Sequence, residues 1–242
     1  MRVSSVGALT AQHFGQGFRE PYAKALVQGS GKLMLRPQNH QRGAGGHETP
    51  EAVEYDVSSW CGDASALEIS ILSELLGPVL DIGCGPGRML AAARSMGLQA
   101  LGVDTSSAAV RRVRGQGGQA LEQSVFEPLP HPGGWQSILL LDGNIGIGGN
   151  IALLLRRCRQ LIAPTGALLI EVDSDPTLDT AYTAVLEDEL GNRSESFKWA
   201  RTGGPGVVSR SENAGWVVAG TSSRQGRVFV RLEPRLAARS IT

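Results

Sequence analysis

The run Asp81-Ile82-Gly83-Cys84-Gly85-Pro86-Gly87-Arg88 spaces three glycines two apart, with a carboxylate two residues ahead of the first. Such glycines permit a sharp turn and let a ligand press on bare backbone with no Cβ in the way. A helix starting just beyond offers free amides to an anionic or dipolar group. Pro86 suits a first helical turn, where its missing N–H has no partner to lose. A second carboxylate, Asp104, comes about 20 residues later, the interval at which an acid accepts both hydroxyls of a ribose. The spacing G-x-G-x-G departs from the dinucleotide pattern G-x-G-x-x-G, which admits a pyrophosphate. Asp81 beside the turn favours a cationic ligand over a diphosphate by Coulomb sign. An NAD-binding turn and a ligand-free strand–helix connection are the competing readings.

A second group of polar residues is Asp142-Gly143-Asn144, at the end of an apolar run and ahead of the glycine-rich Gly146-x-Gly148-Gly149. Asp142 can orient or deprotonate an acceptor, and Asn144 can hydrogen-bond it; the bland alternative for Asp142 is a cap on loop amides. Glu171, Asp173 and Asp175 cluster further on and suit a cationic substrate, a divalent metal or a solvated loop; no metal is expected. His13, His40, His47 and His131 show no metal spacing and read as surface groups. No Cys–His or Ser–His pair stands out. Cys84 reads as a small turn residue. Trp60 and Trp199 serve either as core or as walls of an acceptor pocket, and Arg201 near Trp199 suits an anionic or aromatic acceptor.

These residues need a scaffold, and alternating segments supply it. Ser65 and Glu68 are spaced as a capping box for a helix that carries Leu67, Ile71, Leu72 and Leu75 on one face and stops at Gly77-Pro78. Then follow a strand over 79–84, a helix over 88–96, a strand over 99–103 ending at Asp104, a helix over 106–114, and strands over 120–126 and 137–141. Asn150 caps a helix through Leu161, and Pro164-Thr165-Gly166 turns the chain into a strand over 167–172. Strands apolar on both faces, alternating with helices, imply a parallel sheet covered on both sides. Residues 177–190 read as an irregular or helical insertion, and 196–201 as a strand. Residues 216–222 and 227–232 read as a hairpin through Arg224-Gln225-Gly226. Residues 1–28 suggest a short helix, with His13-Phe14-Gly15-Gln16-Gly17-Phe18 as their odd feature. Residues 29–47, rich in glycine and base and free of acid, read as a long mobile loop, with Leu33-Met34-Leu35 able to dock on the core.

The chain has 242 residues, and Lys+Arg (23) balances Asp+Glu (23), so no global field draws nucleic acid or an anionic membrane. No apolar run approaches the roughly 18 residues of a bilayer-spanning helix. The start has no secretory pattern, and three scattered cysteines make neither a disulfide framework nor a zinc site. A reduced, cytoplasmic setting is expected.

Asp81-Ile82-Gly83-Cys84-Gly85-Pro86-Gly87, followed by Gly102-Val103-Asp104, resembles class I S-adenosylmethionine-dependent methyltransferases over roughly residues 65–175. The stretch Leu140–Gly149 is similar to a bacterial subgroup of that superfamily. The resemblance implies a doubly wound, Rossmann-like α/β sheet of about seven strands, mostly parallel, with the last strand inserted antiparallel. It implies that Gly83, Cys84 and Gly85 line the methionyl part of S-adenosyl-L-methionine, with Gly87 also among the cofactor-binding residues. Asp81 would hold its ammonium directly or through water, Asp104 its ribose, and Thr105 would also bind the cofactor. Ser124, Val125 and Phe126 would meet the adenine; many relatives carry an acid where Ser124 stands, leaving the ring to Val125 backbone and Phe126 packing. Asp142 and Asn144 would serve catalysis. Residues 1–62 are expected to form an N-terminal segment with a lid loop. Residues 63–242 would form the cofactor-binding core, with an acceptor-side insertion around 174–205. The expected activity is methyl transfer to a small molecule, without nucleic acid or membrane. A protein methyltransferase and a non-catalytic binding module are the alternatives, with an NAD-dependent dehydrogenase as a third class.

Overall fold

The computed structural model describes residues 13–15, 20–38 and 50–235. After Phe14 the chain forms α1 (Pro21–Gln28), β1 (Lys32–Pro37), β2 (Val53–Asp56), α2 (Val57–Cys61) and α3 (Ala66–Ser73). The alternating part follows as β3 (Val79–Ile82), α4 (Arg88–Ser95), β4 (Ala100–Asp104), α5 (Ser107–Gly115), β5 (Ala120–Glu122) and β6 (Trp135–Leu140). A 3₁₀ segment (Asn144–Gly149) leads to α6 (Ile151–Leu161) and β7 (Ile162–Val172). The chain closes with β8 (Asp179–Asp188), β9 (Phe197–Thr202), α7 (Gly204–Ser211), β10 (Trp216–Arg224) and β11 (Arg227–Pro234).

Local chemistry places many of these boundaries. The capping box of α3 forms as its spacing predicts: Ser65 Oγ accepts from the Glu68 amide, and the Glu68 carboxylate accepts from the Ser65 amide. Ser106 and Asn150 cap α5 and α6 in the same way. The hairpin β10–β11 turns on Gln225 and Gly226, both at positive φ, the two-residue turn that matches the twist of its strands.

The larger sheet has the order β10-β11-β7-β6-β3-β4-β5. Its strands are parallel except β11, which lies antiparallel between β7 and β10. This is the expected doubly wound α/β sheet of seven strands with the last one inserted antiparallel. Successive side chains of β6 face opposite layers. Ile138 and Leu140 pack in the core beneath α6 and α7, whereas Leu139 and Leu141 pack beneath α3 and α4. The switch in strand order between β3 and β6 opens a crevice beyond their C-terminal ends, where ligands of such sheets bind.

A second, antiparallel sheet has the order β2-β1-β8-β9 and corrects two expectations. Residues 32–37 are a strand where a mobile loop was expected: Leu33 and Leu35 are fully buried, and the backbone pairs with both β2 and β8. Residues 39–47 of the expected loop, with His40, Arg42 and His47, lie outside the described residues. Residues 179–188 are likewise a strand where an irregular or helical insertion was expected. Thr180, Tyr182, Thr183 and Val185 suit a pleated surface, and pairing with β1 and β9 on either side decides the conformation.

Two smaller differences concern strand ends. The third parallel strand stops at Glu122 instead of reaching Phe126, because side chains capture the next amides. Glu127 takes the Ser124 amide and Ser124 Oγ takes that of Phe126. Pro164-Thr165-Gly166 is an irregularity within β7, not a turn before it. Among the described residues no helix is long and apolar enough to cross a membrane.

Candidate active site

A cavity of about 630 Å³ fills the crevice beyond β3 and β4 and reaches under the second sheet. Its size falls within the range of roughly 300–1,000 Å³ usual for small-molecule sites. Gly83, Cys84 and Gly85 line one side, with Asp104 and Thr105 beside them. Ser124, Val125 and Phe126 form one end, and Asp142 and Asn144 lie on the floor nearer the second sheet. The sequence motif thus comes together around one hollow, with two exceptions. Asp81 is buried, at 3% exposure, and does not line it. Gly87 does not line it either: it starts α4, and a Cβ there would meet Val113 Cγ2 at 2.6 Å, so this glycine serves helix packing.

The glycine turn is held by β4. The amides of Gly83 and Cys84 donate to the Val103 carbonyl, and the Gly85 amide donates to Asp104 Oδ2 at 2.9 Å. Asp104 Oδ1 accepts from the Ser106 amide at 2.8 Å. An ionised carboxylate has about four lone-pair directions, so acceptor capacity remains on the cavity side. Burial pushes the Asp104 carboxyl up to about 6, against these backbone bonds, and pushes that of Asp81 up to about 7, against the Arg88 charge. The Asp81 carboxyl is thus a buried acid directly under the turn, with Arg88 favouring its charged form. Cys84 is buried and its thiol is pushed well up, which removes it as a nucleophile.

Asn144 sits on the turn. Its Nδ2 donates to the carbonyls of Ile82 and Gly83, both at 3.0 Å, and a Cβ on Gly83 would lie 2.6 Å from that nitrogen. Gly83 is therefore needed for the approach of Asn144 as much as for a ligand. With its amide nitrogen engaged, Asn144 fixes the loop after β6 against the turn.

Asp142 belongs to a buried ion network that the motif alone did not reveal. Arg88 contacts Glu68 and Asp142, both at 2.7 Å; Arg227 contacts Glu171 at 2.7 Å, Glu68 at 3.1 Å and Asp142 at 3.6 Å. The Glu171 carboxylate also accepts from the Asp142 amide, holding Asp142 at a φ of 53°. Burial alone would raise Glu68, but Arg88, the Ser65 amide and Arg227 hold its carboxyl down at about 2. Burial, opposed by Arg88, raises that of Asp142. Asp142 is thus held by Arg88 and Arg227 at the cavity floor, with burial outweighing their pull on its carboxyl.

The acidic cluster dissolves into pairs. Glu171 is bound as above, Asp173 holds Arg201, and Asp175 caps Thr177. Arg201 is thereby neutralised, which removes the argument for an anionic acceptor beside Trp199. Phe14, Tyr22, Tyr55 and Trp60 from the N-terminal segment meet Phe197 and Trp199 of β9 as one aromatic wall, and Tyr22 reaches the turn itself, its hydroxyl 3.3 Å from where a Cβ of Gly85 would stand. Trp60 and Trp199 do line the cavity. The other four were missed because their common face exists only once β1, β2, β8 and β9 pair.

At the end of the cavity lined by Ser124, Val125 and Phe126, Arg157 donates to the Val125 and Glu127 carbonyls, fixing the turn that carries Phe126, which stays 36% exposed. Its ring edge abuts Gly148.

Residues 59–205, more than half of the chain, match the family model described as "Methyltransferase domain". The chain belongs to this methyltransferase family. Its class I fold and glycine turn make it an S-adenosyl-L-methionine-dependent enzyme. Among solved structures, the fold is similar to a SAM-dependent methyltransferase from Bacteroides fragilis in complex with S-adenosyl-L-homocysteine. That match has a TM-score of 0.71 at 18% identity, over 90% of this chain and 94% of the other. It is also similar to the 1,6-didemethyltoxoflavin-N1-methyltransferase of Burkholderia thailandensis (0.52, 16%, 70% and 77%). A third likeness is to the sugar N-methyltransferase KedS8 of a Streptoalloteichus species (0.51, 14%, 70% and 86%). No curated protein sequence matches the chain.

Proposed function

We propose that this methyltransferase acts on a small molecule enclosed between the glycine turn and the second sheet. The observation that carries the reading is the roof. α1 and the strands β1, β2, β8 and β9 bring aromatic side chains over the glycine turn, which leaves a partly open pocket of small-molecule size. The two relatives named for a toxoflavin precursor and a sugar lend support.

When bound, the cofactor supplies a methyl group on a sulfonium, transferred in line to a nucleophile. The chain's own residues bind, orient and exclude water. Asp104 accepts the ribose hydroxyls with the capacity that Gly85 and Ser106 leave free. Gly83, Cys84 and Gly85 give the methionyl part a surface without side chains. Asp81, buried just under the turn, receives the ammonium through a water, its carboxylate favouring a cation. Thr105 lies beside the ribose, and Phe126, Val125 and Ser124 bracket the adenine. Asn144 acts as a positioning residue through the turn. Asp142 sets the potential of the floor, and His13, expected as a surface group, also lines the cavity, burial lowering its imidazole. Transfer then rests on proximity beside largely apolar walls.

Incubation with methyl-labelled cofactor and a cell extract tests this. Label appearing in the dialysable fraction supports the reading, and label confined to macromolecules overturns it in favour of a protein acceptor.

A further inference from the structure

Resting on that reading of the cofactor's place, we infer that Tyr22 is a further cofactor-binding residue. Its hydroxyl oxygen stands against the sulfonium and makes the site prefer the charged cofactor over its neutral product. Tyr22 follows Pro21 at the start of α1, on the face that also buries Ala25 and Leu26. Its ring is wedged among neighbours. It meets Phe14 at 85° and Trp60 at 82°, and its Cβ lies 2.6 Å from where a Cβ of Gly15 would stand. With 6% exposure the side chain is fixed by this packing. Its hydroxyl comes out at the cavity, 3.3 Å from where a Cβ of Gly85 would stand. The bare backbone that receives the methionyl part thus has a phenol over it.

The covalent structure of the cofactor brings its sulfur to this point. One carbon joins the sulfur to the ribose, and two carbons join it to the α-carbon that bears the ammonium. Asp104, which takes the ribose, also accepts from the Gly85 amide at 2.9 Å. With the ribose there and the ammonium towards Asp81, the sulfur crosses the turn between them, under the Tyr22 hydroxyl.

The charges around that hydroxyl favour a cation. Burial pushes its ionisation well up, and the charges of Asp104 and Asp142 add to this. Tyr22 therefore stays a neutral phenol, with two lone pairs and a hydrogen that rotates to suit its surroundings. Carboxylates draw the hydrogen, which leaves the lone pairs to a cation over the turn. Arg88 lines the cavity here, but Glu68 and Asp142 both hold it at 2.7 Å. Taken with Arg227 and Glu171, that network keeps one net negative charge, to which Asp81 and Asp104 add when ionised. Lys198 also lines the cavity, but it is exposed and its ammonium is on Thr183 Oγ1; burial keeps the His13 imidazole towards its neutral form. A sulfonium gains from an oxygen lone pair in such a place, and a thioether does not. The contact serves the exchange of product for fresh cofactor. It does not lower the barrier, because the sulfur loses its charge on the way to product.

The test is calorimetry on the full chain, wild type against Tyr22→Phe, with S-adenosylmethionine and S-adenosylhomocysteine as the two probes. Phenylalanine keeps the ring and its packing on Phe14 and Trp60 and removes only the oxygen. The wild type is expected to bind S-adenosylmethionine about tenfold tighter than S-adenosylhomocysteine. Tyr22→Phe should bring the two within about twofold by weakening S-adenosylmethionine, with S-adenosylhomocysteine affinity unchanged. A variant that weakens both probes alike has lost packing only and overturns the contact. An unchanged ratio, or a wild type with no preference, overturns it as well, and each of these leaves the cofactor reading intact. Failure of the wild type to bind either probe overturns the reading beneath it.

Discussion

Replacing Asp104 by asparagine removes one charge from the cofactor cradle and keeps the side chain's shape. In the ligand-free protein burial raises this carboxyl to about 6, while the amides of Ser106, Gly85 and Thr105 pull the other way. Ribose hydroxyls donating to the carboxylate favour its charged form and return the bound-state value to roughly 4 or below. The sign follows: affinity is full above 6 and is lost as pH falls through it, because a proton must leave before the ribose can bind. At about pH 5 only about one-tenth of the free protein has Asp104 ionised, so affinity should fall about tenfold from its value near pH 7.5, or about 1.4 kcal/mol. Asp81, raised to about 7, titrates in the same direction and must be removed from the comparison. Calorimetric binding of S-adenosylhomocysteine to Asp81→Asn should then show the tenfold slope. The double variant with Asp104→Asn should show none, with affinity lower throughout by about 1–3 kcal/mol for the unpaired hydroxyl. A slope that survives in the double variant would refute the ribose role of Asp104.

Other perturbations probe the framework. Gly83→Ala, at a φ of 71° and 2.6 Å from Asn144 Nδ2, should cost about 2–4 kcal/mol in urea denaturation from backbone strain and the displaced carboxamide. The cost should shrink in an Asn144→Ala background, and strict additivity would exclude the steric cause. Arg88→Met leaves Glu68 and Asp142 buried with Arg227 alone and should destabilise by about 3–5 kcal/mol; a wild-type urea midpoint would show the network to be idle. Glu68 has its folded value depressed from 4.5 to about 2, so its stabilisation is present above 4.5 and lost as pH falls towards 2. Glu68→Gln should accordingly lose less stability than wild type across that window, and an equally steep acid limb would count against it.

Several features could be read along the chain because their causes are short-range. The G-x-G-x-G turn, the Ser65–Glu68 capping box, the Asn150 cap and the Gln225-Gly226 hairpin each depend on residues within a few positions of one another. Apolar runs of strand length between helical stretches imply the parallel sheet, and Asp104 follows the turn at a spacing set by one βαβ unit. The errors fall where a distant partner decides. Residues 32–37 looked like a loop because glycines and bases surround them; their strand exists through pairing with residues 184–188. Residues 179–188 looked irregular for the same reason.

The amino-acid order by itself determined the cofactor side of this enzyme: a bare-backbone turn, two acids at the right interval, and the layered sheet that carries them. Only the tertiary structure decided the acceptor side. It brought Phe14, Tyr22, Tyr55 and Trp60 against Phe197 and Trp199, and joined Glu68 to Arg227 across 159 residues. Turns and caps are dictated by φ preferences and by amides a few positions away, whereas an aromatic cluster and a buried ion network acquire their geometry only when remote segments exclude water from a common space.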